Sequence, residues 1–239
     1  MSSHYNMSID QKFFLIRNYN LWAHISDEEY EELNLVHHFI EAPKGAYVYF
    51  DSHNHNKLYF LKGGTIKIGH IDNEGKEVVK EVIREGEVFG QFTLERNNLN
   101  GEFAQAYKSD VSLCAFNIDD FEQLLKKKPE LAFHYSKQVG QKLHRLQNRL
   151  VNLLNKDVKT RLVHFLLMLA QEQGVTDNSD TYTIENFLTH EDIAQLIASS
   201  RQTVTTMLNE LEANGLINAS RQLICISSVK NLKKAAGVI

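Results

Sequence analysis

The stretch from Leu188 to Gly215, LTHEDIAQLIASSRQTVTTMLNELEANG, constrains the fold of this chain more than any other. Thr189 is a strong helix N-cap residue, and Asp192 follows it at the spacing of a capping box. Ser200 is a second N-cap residue. Apolar residues follow at helical spacing in both segments: Ile193, Leu196 and Ile197 in the first, and Val204, Leu208 and Leu211 in the second. The pattern predicts two short amphipathic helices joined by a tight polar turn.

Short polar side chains and one arginine occupy the turn and the outer face of the second helix. A helix-turn-helix needs this arrangement, because its second helix brings such side chains to base edges in the major groove. Arg201 is suited to both acceptors of guanine, and Gln202 to the paired donor and acceptor of adenine. Spacing alone leaves an ordinary αα-hairpin with a solvated outer face as the alternative. The predicted DNA contacts are Thr189, Ser199, Ser200, Arg201, Gln202, Thr203, Thr205 and Thr206.

The segment 200–206, SRQTVTT, resembles the recognition helix of the CRP/FNR family, bacterial regulators that join a ligand-sensing β-roll to a winged helix. The resemblance gives Arg201 the place of the guanine-reading arginine. Gln202 stands where the family often has Glu, and Thr206 where it often has Arg, so the usual target sequence is in doubt. Ala198 replaces the Gly that is usual in the turn. The resemblance extends over nearly the whole chain and places Arg221 in the wing, as a further DNA contact.

An α+β fold follows from this resemblance: an N-terminal antiparallel β-roll (jelly roll), a long dimerisation helix and a C-terminal winged helix-turn-helix. The residues agree, because short β-rich runs separated by turns extend from about residue 42 to 118, after a helical pattern in residues 1–40. The predicted domains are residues 1–128 for the roll, 129–156 for the helix and 157–239 for the DNA-binding domain.

The segments LYFLKGGTIKI and IREGEVFGQ resemble strands of a cyclic-nucleotide-binding roll. In the cyclic-nucleotide binders of the family, Gly-Glu-Leu holds the ribose, and Arg-Ser/Thr-Ala follows it and holds the phosphate. The matching residues here form a degenerate effector pocket: Gly90, Gln91, Phe92, Glu102, Phe103 and Ala104. A carboxylate at the phosphate position repels the ligand. A shifted alignment would offer Arg96 instead. We expect no cyclic AMP binding; the pocket holds another ligand or none.

An apolar stripe at 3,4-spacing runs along residues 129–156, where Gly140 is the only residue that disfavours a helix. Such a stripe is the seam of a coiled coil, and two-fold pairing is its simplest partner. The alternative is that the stripe packs on the β-roll of its own chain. Family resemblance favours a parallel dimerisation helix with these seam residues: Val139, Leu143, Leu146, Leu150 and Leu153.

The net charge of the chain does not favour nucleic-acid binding. The net charge is −4, and residues 157–239 carry 7 Lys and Arg against 9 Asp and Glu. DNA affinity must therefore come from locally placed cations, with Lys156, Lys159 and Arg161 close upstream of the helix-turn-helix, and we expect a shallow salt dependence.

Other classes of site find little support. Two cysteines are too few for a disulfide framework or a metal cluster, and Cys114 fits a core position. The histidine pairs 37–38, on a predicted helix, and 53–55, in a loop, lack a third ligand at metal-site spacing. No catalytic constellation stands out, and we expect no enzyme, metal or cofactor. Without a membrane span or signal peptide, a cytoplasmic location is expected.

These observations predict a homodimeric transcription regulator that binds inverted-repeat DNA and does not depend on cyclic AMP. RNA polymerase would be a further partner if the protein activates transcription. The alternative function is that of a sensor whose main activity is to bind a small molecule, a cyclic nucleotide or another metabolite, in the roll.

Overall fold

The computed structural model describes residues 37–50, 56–92, 101–178, 180–220 and 222–237. The chain forms two compact units that divide between Leu143 and His144. This division lies within the long helix, and the predicted domain boundaries stay predictions. The helical pattern predicted for the first 36 residues, the histidine pair 53–55 and Arg96 lie outside the described residues.

The first unit contains two four-stranded antiparallel sheets. One sheet has the strand order β1-β8-β3-β6, and the other has the order β2-β7-β4-β5. The strands are β1 His37–Ala42, β2 Tyr47–Phe50, β3 Lys57–Gly63, β4 Thr65–Ile71, β5 Glu77–Arg84, β6 Val88–Gly90, β7 Glu102–Ala106 and β8 Val111–Asn117.

The two sheets enclose one apolar core. Ile66 and Ile68 of β4 pack in the same cluster as Tyr59 of β3 and Phe89 of β6, which belong to the other sheet. Tyr59 and Phe89 stack with their ring centroids 4.9 Å apart. Each large apolar side chain that is fully buried contributes about 1.5–3 kcal/mol, so this cluster stabilises the packing of one sheet on the other.

One part of the secondary structure differs from the prediction. His37 and His38, which the sequence analysis placed on a helix, begin strand β1. This strand pairs along its whole length with β8, with Phe39 opposite Cys114 and Ile40 opposite Leu113. The pairing partner lies far away in sequence, so local pattern could not reveal it. Cys114 is buried, as predicted, and burial raises the pKa of its thiol to about 11.

Two helices follow the roll. Helix α1 spans Ile118–Lys127 and helix α2 spans Pro129–Asn155. Proline at the first position of α2 costs no hydrogen bond, because the N–H groups of the first turn have no helical partner. In α1, Phe121 and Leu124 bury their side chains in a core cluster with Phe116 of β8.

The described residues of the second unit form the end of α2, four further helices and a four-stranded sheet of order β11-β12-β10-β9. The helices are α3 Val158–Gln173, α4 His190–Leu196, α5 Arg201–Ala213 and α6 Val229–Ala235. The strands are β9 Val175–Asn178, β10 Thr181–Glu185, β11 Ile217–Ala219 and β12 Leu223–Ile226. The sequence predicts a polar loop with some strand character at residues 173–186, whereas β9 and β10 form an antiparallel pair there. Within the described residues, no helix combines the length and apolar composition needed to cross a bilayer.

Candidate nucleic-acid interface

Helices α4 and α5 begin at the two N-caps that the sequence indicates. The Thr189 hydroxyl accepts a hydrogen bond from the Asp192 backbone N–H, and the Asp192 carboxylate accepts one from the Thr189 N–H at 2.7 Å. The Ser200 hydroxyl accepts a hydrogen bond from the Thr203 N–H at 3.1 Å. Each cap satisfies N–H groups that a helix start leaves without a partner. The start points of both helices are thus fixed by short-range contacts.

Helix α5 has one buried and one exposed face. Val204, Leu208 and Leu211 are buried. Arg201, Gln202 and Thr206 are exposed, and the described residues offer their side chains no hydrogen bond or ion pair. Three polar groups with free bonding capacity therefore stand together on the first turns of the helix. This is the geometry in which a recognition helix reads base edges.

The remaining hydroxyls of α5 are already engaged. Thr205 Oγ1 donates to the Arg201 carbonyl oxygen at 2.9 Å, and lies 2.8 Å from Nδ1 of His190 on α4. Because Oγ1 gives its own proton to the carbonyl, Nδ1 of His190 is the donor in the second bond. Thr203 Oγ1 lies 2.8 Å from the Ser200 hydroxyl. These hydroxyls stabilise the two helices first, and can offer DNA only their remaining bonding capacity.

The turn between α4 and α5 is strained and held from outside. Ala198 has a φ of +52°, a left-handed conformation that costs a residue with a side chain about 1–2 kcal/mol. Arg161 of α3 donates from Nε to the carbonyl oxygen of Ile197 at 2.8 Å and from Nη2 to that of Ala198 at 3.0 Å. Its Nη1 binds the Lys156 carbonyl oxygen at 2.9 Å. From the sequence, Arg161 is predicted to contribute to DNA affinity, whereas in the structure its guanidinium donates hydrogen bonds that hold the turn. Ser199 donates its backbone N–H to the Ala194 carbonyl oxygen and is partly exposed.

The wing is the β11–β12 hairpin. Ser220 accepts hydrogen bonds from the backbone N–H groups of Gln222 and Leu223, which closes the turn. The Asn186 amide donates to the Ser220 carbonyl oxygen at 2.9 Å and thereby ties the hairpin to the segment before α4. The sequence does not predict this contact, since nothing in the local pattern links Asn186 with the turn at Ser220. Arg221, the predicted wing contact, lies outside the described residues.

The structure places the two halves of the predicted effector pocket in different sheets. Gly90 ends β6, with a φ of +99°, and Gln91 is 3% exposed. Phe92 follows, and its carbonyl oxygen accepts a hydrogen bond from the Tyr135 hydroxyl of α2 at 2.8 Å. The Phe92 ring lies 4.6 Å from Nζ of Lys142, also on α2. This half of the pocket is fastened to the long helix.

The other half of the pocket lies on β7. The Glu102 carboxylate accepts hydrogen bonds from the Tyr49 hydroxyl and from the Lys80 ammonium, each at 2.9 Å. Burial raises the pKa of Tyr49, and the charge of Glu102 raises it further, so the phenol keeps its proton and donates. Phe103 and Ala104 are fully buried. No phosphate-binding group stands at these three positions, and their side chains fit the roll's own packing.

Part of the predicted seam on α2 is exposed in the single chain. Leu143, Leu146 and Leu150 have 56%, 52% and 57% of their surface exposed, and Leu154 has 73%. Leu153 is partly buried. Val139 instead packs against the roll's own core cluster. An apolar surface of this kind on one helix indicates a missing partner.

Across the described residues, no group of three or more His, Cys, Asp or Glu side chains could hold a metal ion.

Two protein-family models match this chain, one in its N-terminal part and one in its C-terminal part. Residues 39–128 match the model of the cyclic nucleotide-binding domain, and residues 160–235 match that of the Crp-like helix-turn-helix domain.

Three similar proteins illustrate the match. The global nitrogen regulator of Nostoc sp. PCC 7120 is 30% identical over 188 residues, which cover 78% of this chain and 84% of that protein. The CRP-like cAMP-activated global transcriptional regulator of Mycobacterium tuberculosis is 26% identical over 197 residues, with 82% and 87% covered. A mutant of CooA from Carboxydothermus hydrogenoformans has a similar structure, with a TM-score of 0.73 and 22% identity over 88% of this chain and 92% of that one.

Proposed function

The chain belongs to the CRP/FNR family of transcription regulators, and we propose that two copies of it bind one inverted-repeat DNA site without cyclic AMP. Its relatives are transcription regulators, which are not enzymes. We place its activity in the cytoplasm, where the DNA is. RNA polymerase is the further partner we propose where the protein activates transcription.

The exposed face of α5 carries the proposal. Arg201 is placed on the first turn with a guanidinium that no described residue engages, and it can bind O6 and N7 of one guanine. Gln202 and Thr206 are exposed on the same helix and would read or contact the neighbouring positions. Each good bidentate contact with a base contributes about 1–3 kcal/mol of discrimination. One guanine in each half-site is therefore the expected minimum of the recognised sequence.

Contacts with the DNA backbone would come from the helix starts. Thr189, Ser200 and Thr203 lie at or next to the N-termini of α4 and α5, where backbone N–H groups and the helix dipole favour a phosphate. Their hydroxyls already serve the caps, so we assign them positioning contacts. Sequence discrimination would then depend on the three free side chains.

The exposed leucines of α2 support the dimer. Leu143, Leu146, Leu150 and Leu154 continue an apolar stripe through the second half of the helix. A second copy of the same helix would cover them, as in a coiled coil. A two-fold dimer presents two recognition helices about one turn of DNA apart, roughly 34 Å, which demands an inverted repeat. Val139 contributes to the core of its own roll and would matter less to the seam.

Cyclic AMP does not fit the residues at the pocket positions. Glu102 is held by Tyr49 and Lys80. From the resemblance, we assign this carboxylate to the place of the phosphate-binding arginine of the family. Replacing the cation by an anion reverses the sign of the interaction with a phosphodiester. We therefore propose a regulator that does not respond to cyclic AMP.

Substitution of Arg201 tests this proposal. With a duplex selected from random DNA, Arg201→Ala should weaken binding by about 1–3 kcal/mol and relax the preference at one position of each half-site. Lys127→Gln, an exposed change in α1, is the control and should bind as the unmodified protein does. Unchanged affinity and sequence preference in Arg201→Ala would overturn the assignment of the reading residue.

A further inference from the structure

Four lysines of the second unit lie on α3, on α6 or just before α3, and we call Lys156, Lys159, Lys233 and Lys234 the lysine shelf. Helices α3 and α6 are joined by a hydrogen bond from Thr160 Oγ1 to the Ala236 carbonyl oxygen at 3.1 Å. This bond brings the first turn of α3 to the last turn of α6. Lys159 precedes Thr160, and Lys233 and Lys234 precede Ala236 by three and two residues, so three of the four lysines lie next to it.

His164, on α3, is affected by the charges of two of the shelf lysines. Burial lowers the pKa of its imidazole, and the charges of Lys156 and Lys233 lower it further. Charges shift the pKa of an imidazole only when they are near it, so both ammonium groups lie near the His164 side chain. Lys156, before α3, and Lys233, on α6, therefore contribute to the same positive surface.

The described residues form no ion pair with any of the four lysines. Two carboxylates lie near the two helices, and both are engaged by helix starts. Asp157 accepts a hydrogen bond from the Thr160 N–H at 2.7 Å, and Asp180 accepts one from the Lys230 N–H at 3.0 Å. Both have a lowered pKa, first because of these backbone bonds, and the charges of Arg161 and Lys159 also lower the pKa of Asp157. Both carboxylates stay charged, and their hydrogen bonds serve the helix starts. The shelf is thus a group of four lysines with no carboxylate partner in an ion pair among the described residues.

The shelf begins beside the turn of the helix-turn-helix. Arg161 binds the Lys156 carbonyl oxygen at 2.9 Å and the Ala198 carbonyl oxygen at 3.0 Å through one guanidinium group. Ala198 lies two residues before the N-cap of α5. Because the start of a recognition helix points into the major groove, the phosphates that border the groove pass close to this turn. DNA that continues past the half-site on this side would meet the lysines.

We propose that the lysine shelf binds the phosphate backbone of duplex DNA that flanks the half-site. The proposal rests on the proposed function. The shelf would be a contact area outside the recognised sequence. It would raise the affinity for DNA without adding sequence preference. The DNA backbone is a polyanion, and ammonium groups without an ion-pair partner can bind its phosphates. Each such contact releases counterions, which favours binding.

The test compares a duplex of the selected site alone with one extended by about one helical turn, roughly 10 base pairs, on each side. The full-length protein should bind the extended duplex about tenfold more tightly at moderate salt, with a salt slope steeper by about 2–3. In the triple variant Lys159→Gln, Lys233→Gln, Lys234→Gln, this gain should disappear while affinity for the short duplex stays the same.

Two control proteins accompany the triple variant. Lys44→Gln, Lys76→Gln, Lys127→Gln removes three exposed lysines of the first unit and should keep the gain from the longer duplex. Arginine at the three shelf positions should also keep it, because charge and not shape carries the contact. The proposal is overturned if the longer duplex gives no gain, if both glutamine variants lose it equally, or if the shelf variant weakens the short duplex as much as the long one.

A mixed-sequence duplex separates this proposal from the proposed function. If the unmodified protein has no preferred site, the proposed function fails, and the shelf is then judged on non-specific binding. There the shelf variant should reduce the salt slope by about 2–3 relative to the first-unit control. Equal slopes in the two variants would overturn the shelf as a DNA contact.

Discussion

Arg161 lies against Ala198 and donates a hydrogen bond to its carbonyl oxygen at 3.0 Å. The acceptor belongs to a residue with a φ of +52°, where glycine would be the favoured residue. The same guanidinium also binds the carbonyl oxygen of Ile197, at the end of α4. One side chain of α3 therefore stabilises both the end of one helix and the unfavourable turn that leads to the recognition helix.

Removal of this guanidinium should destabilise the second unit. Arg161→Gln loses charge-assisted bonds to three carbonyl oxygens, and a hydrogen bond to a charged group contributes about 1.5–3 kcal/mol. Because the side chain is partly exposed and water replaces some of these bonds, we expect a loss of about 1–3 kcal/mol in the free energy of unfolding. Denaturant unfolding measures it. The control is Arg145→Gln, which affects an exposed pair with Glu172 and should change stability by less than about 1 kcal/mol. Equal losses in the two variants would contradict the role given to Arg161.

Glycine at position 198 should stabilise the protein. Ala198→Gly removes the left-handed strain, and part of the gain is offset by the greater freedom of glycine in the unfolded chain. We expect a net increase of about 0.5–1 kcal/mol in the free energy of unfolding. Ala194→Gly, in the interior of α4, is the matched control and should lose about 1 kcal/mol. A loss in both variants would show that the turn is not strained in solution.

The exposed stripe on α2 should control the oligomeric state. Leu150→Glu places a charge at the centre of the proposed seam, and two-fold symmetry places it there twice. Loss of two apolar contacts of about 1.5 kcal/mol each predicts a dimer dissociation constant at least about a hundredfold higher. Gln141→Glu, also exposed on α2 but outside the stripe, is the control. Sedimentation equilibrium gives both constants. A dimer unaffected by Leu150→Glu would place the dimer contact elsewhere.

Sequence alone predicts the features that depend on neighbours a few residues away. The caps at Thr189 and Ser200 and the buried stripe of α5 follow from residue types and spacing, and the structure has them where they were expected. The same holds for the break between α1 and α2, because proline at residue 129 starts a helix well and continues one poorly.

Contacts between distant residues could not be read in this way. Strand β1 was assigned to a helical region because its pairing with β8 depends on residues about 75 positions later. Arg161 was grouped with DNA-binding cations, since nothing local shows that three carbonyl oxygens lie around its guanidinium. The ion pair between Lys80 and Glu102 could not be predicted either, because only the folded sheet brings the two residues together. Val139 matched the heptad spacing, yet it packs on its own roll.

The most direct test of the central claim is selection of random duplex DNA by the purified full-length protein in the absence of any ligand. The account predicts enrichment of an inverted repeat with a guanine in each half-site, with half-site centres about 10 base pairs apart. Addition of cyclic AMP should leave both the enriched sequence and the affinity unchanged, because we propose that a carboxylate, Glu102, stands where the family binds the phosphate with a cation. Enrichment that appears only with cyclic AMP would contradict the account of the pocket. The absence of any enriched sequence, with and without the nucleotide, would contradict a ligand-independent regulator.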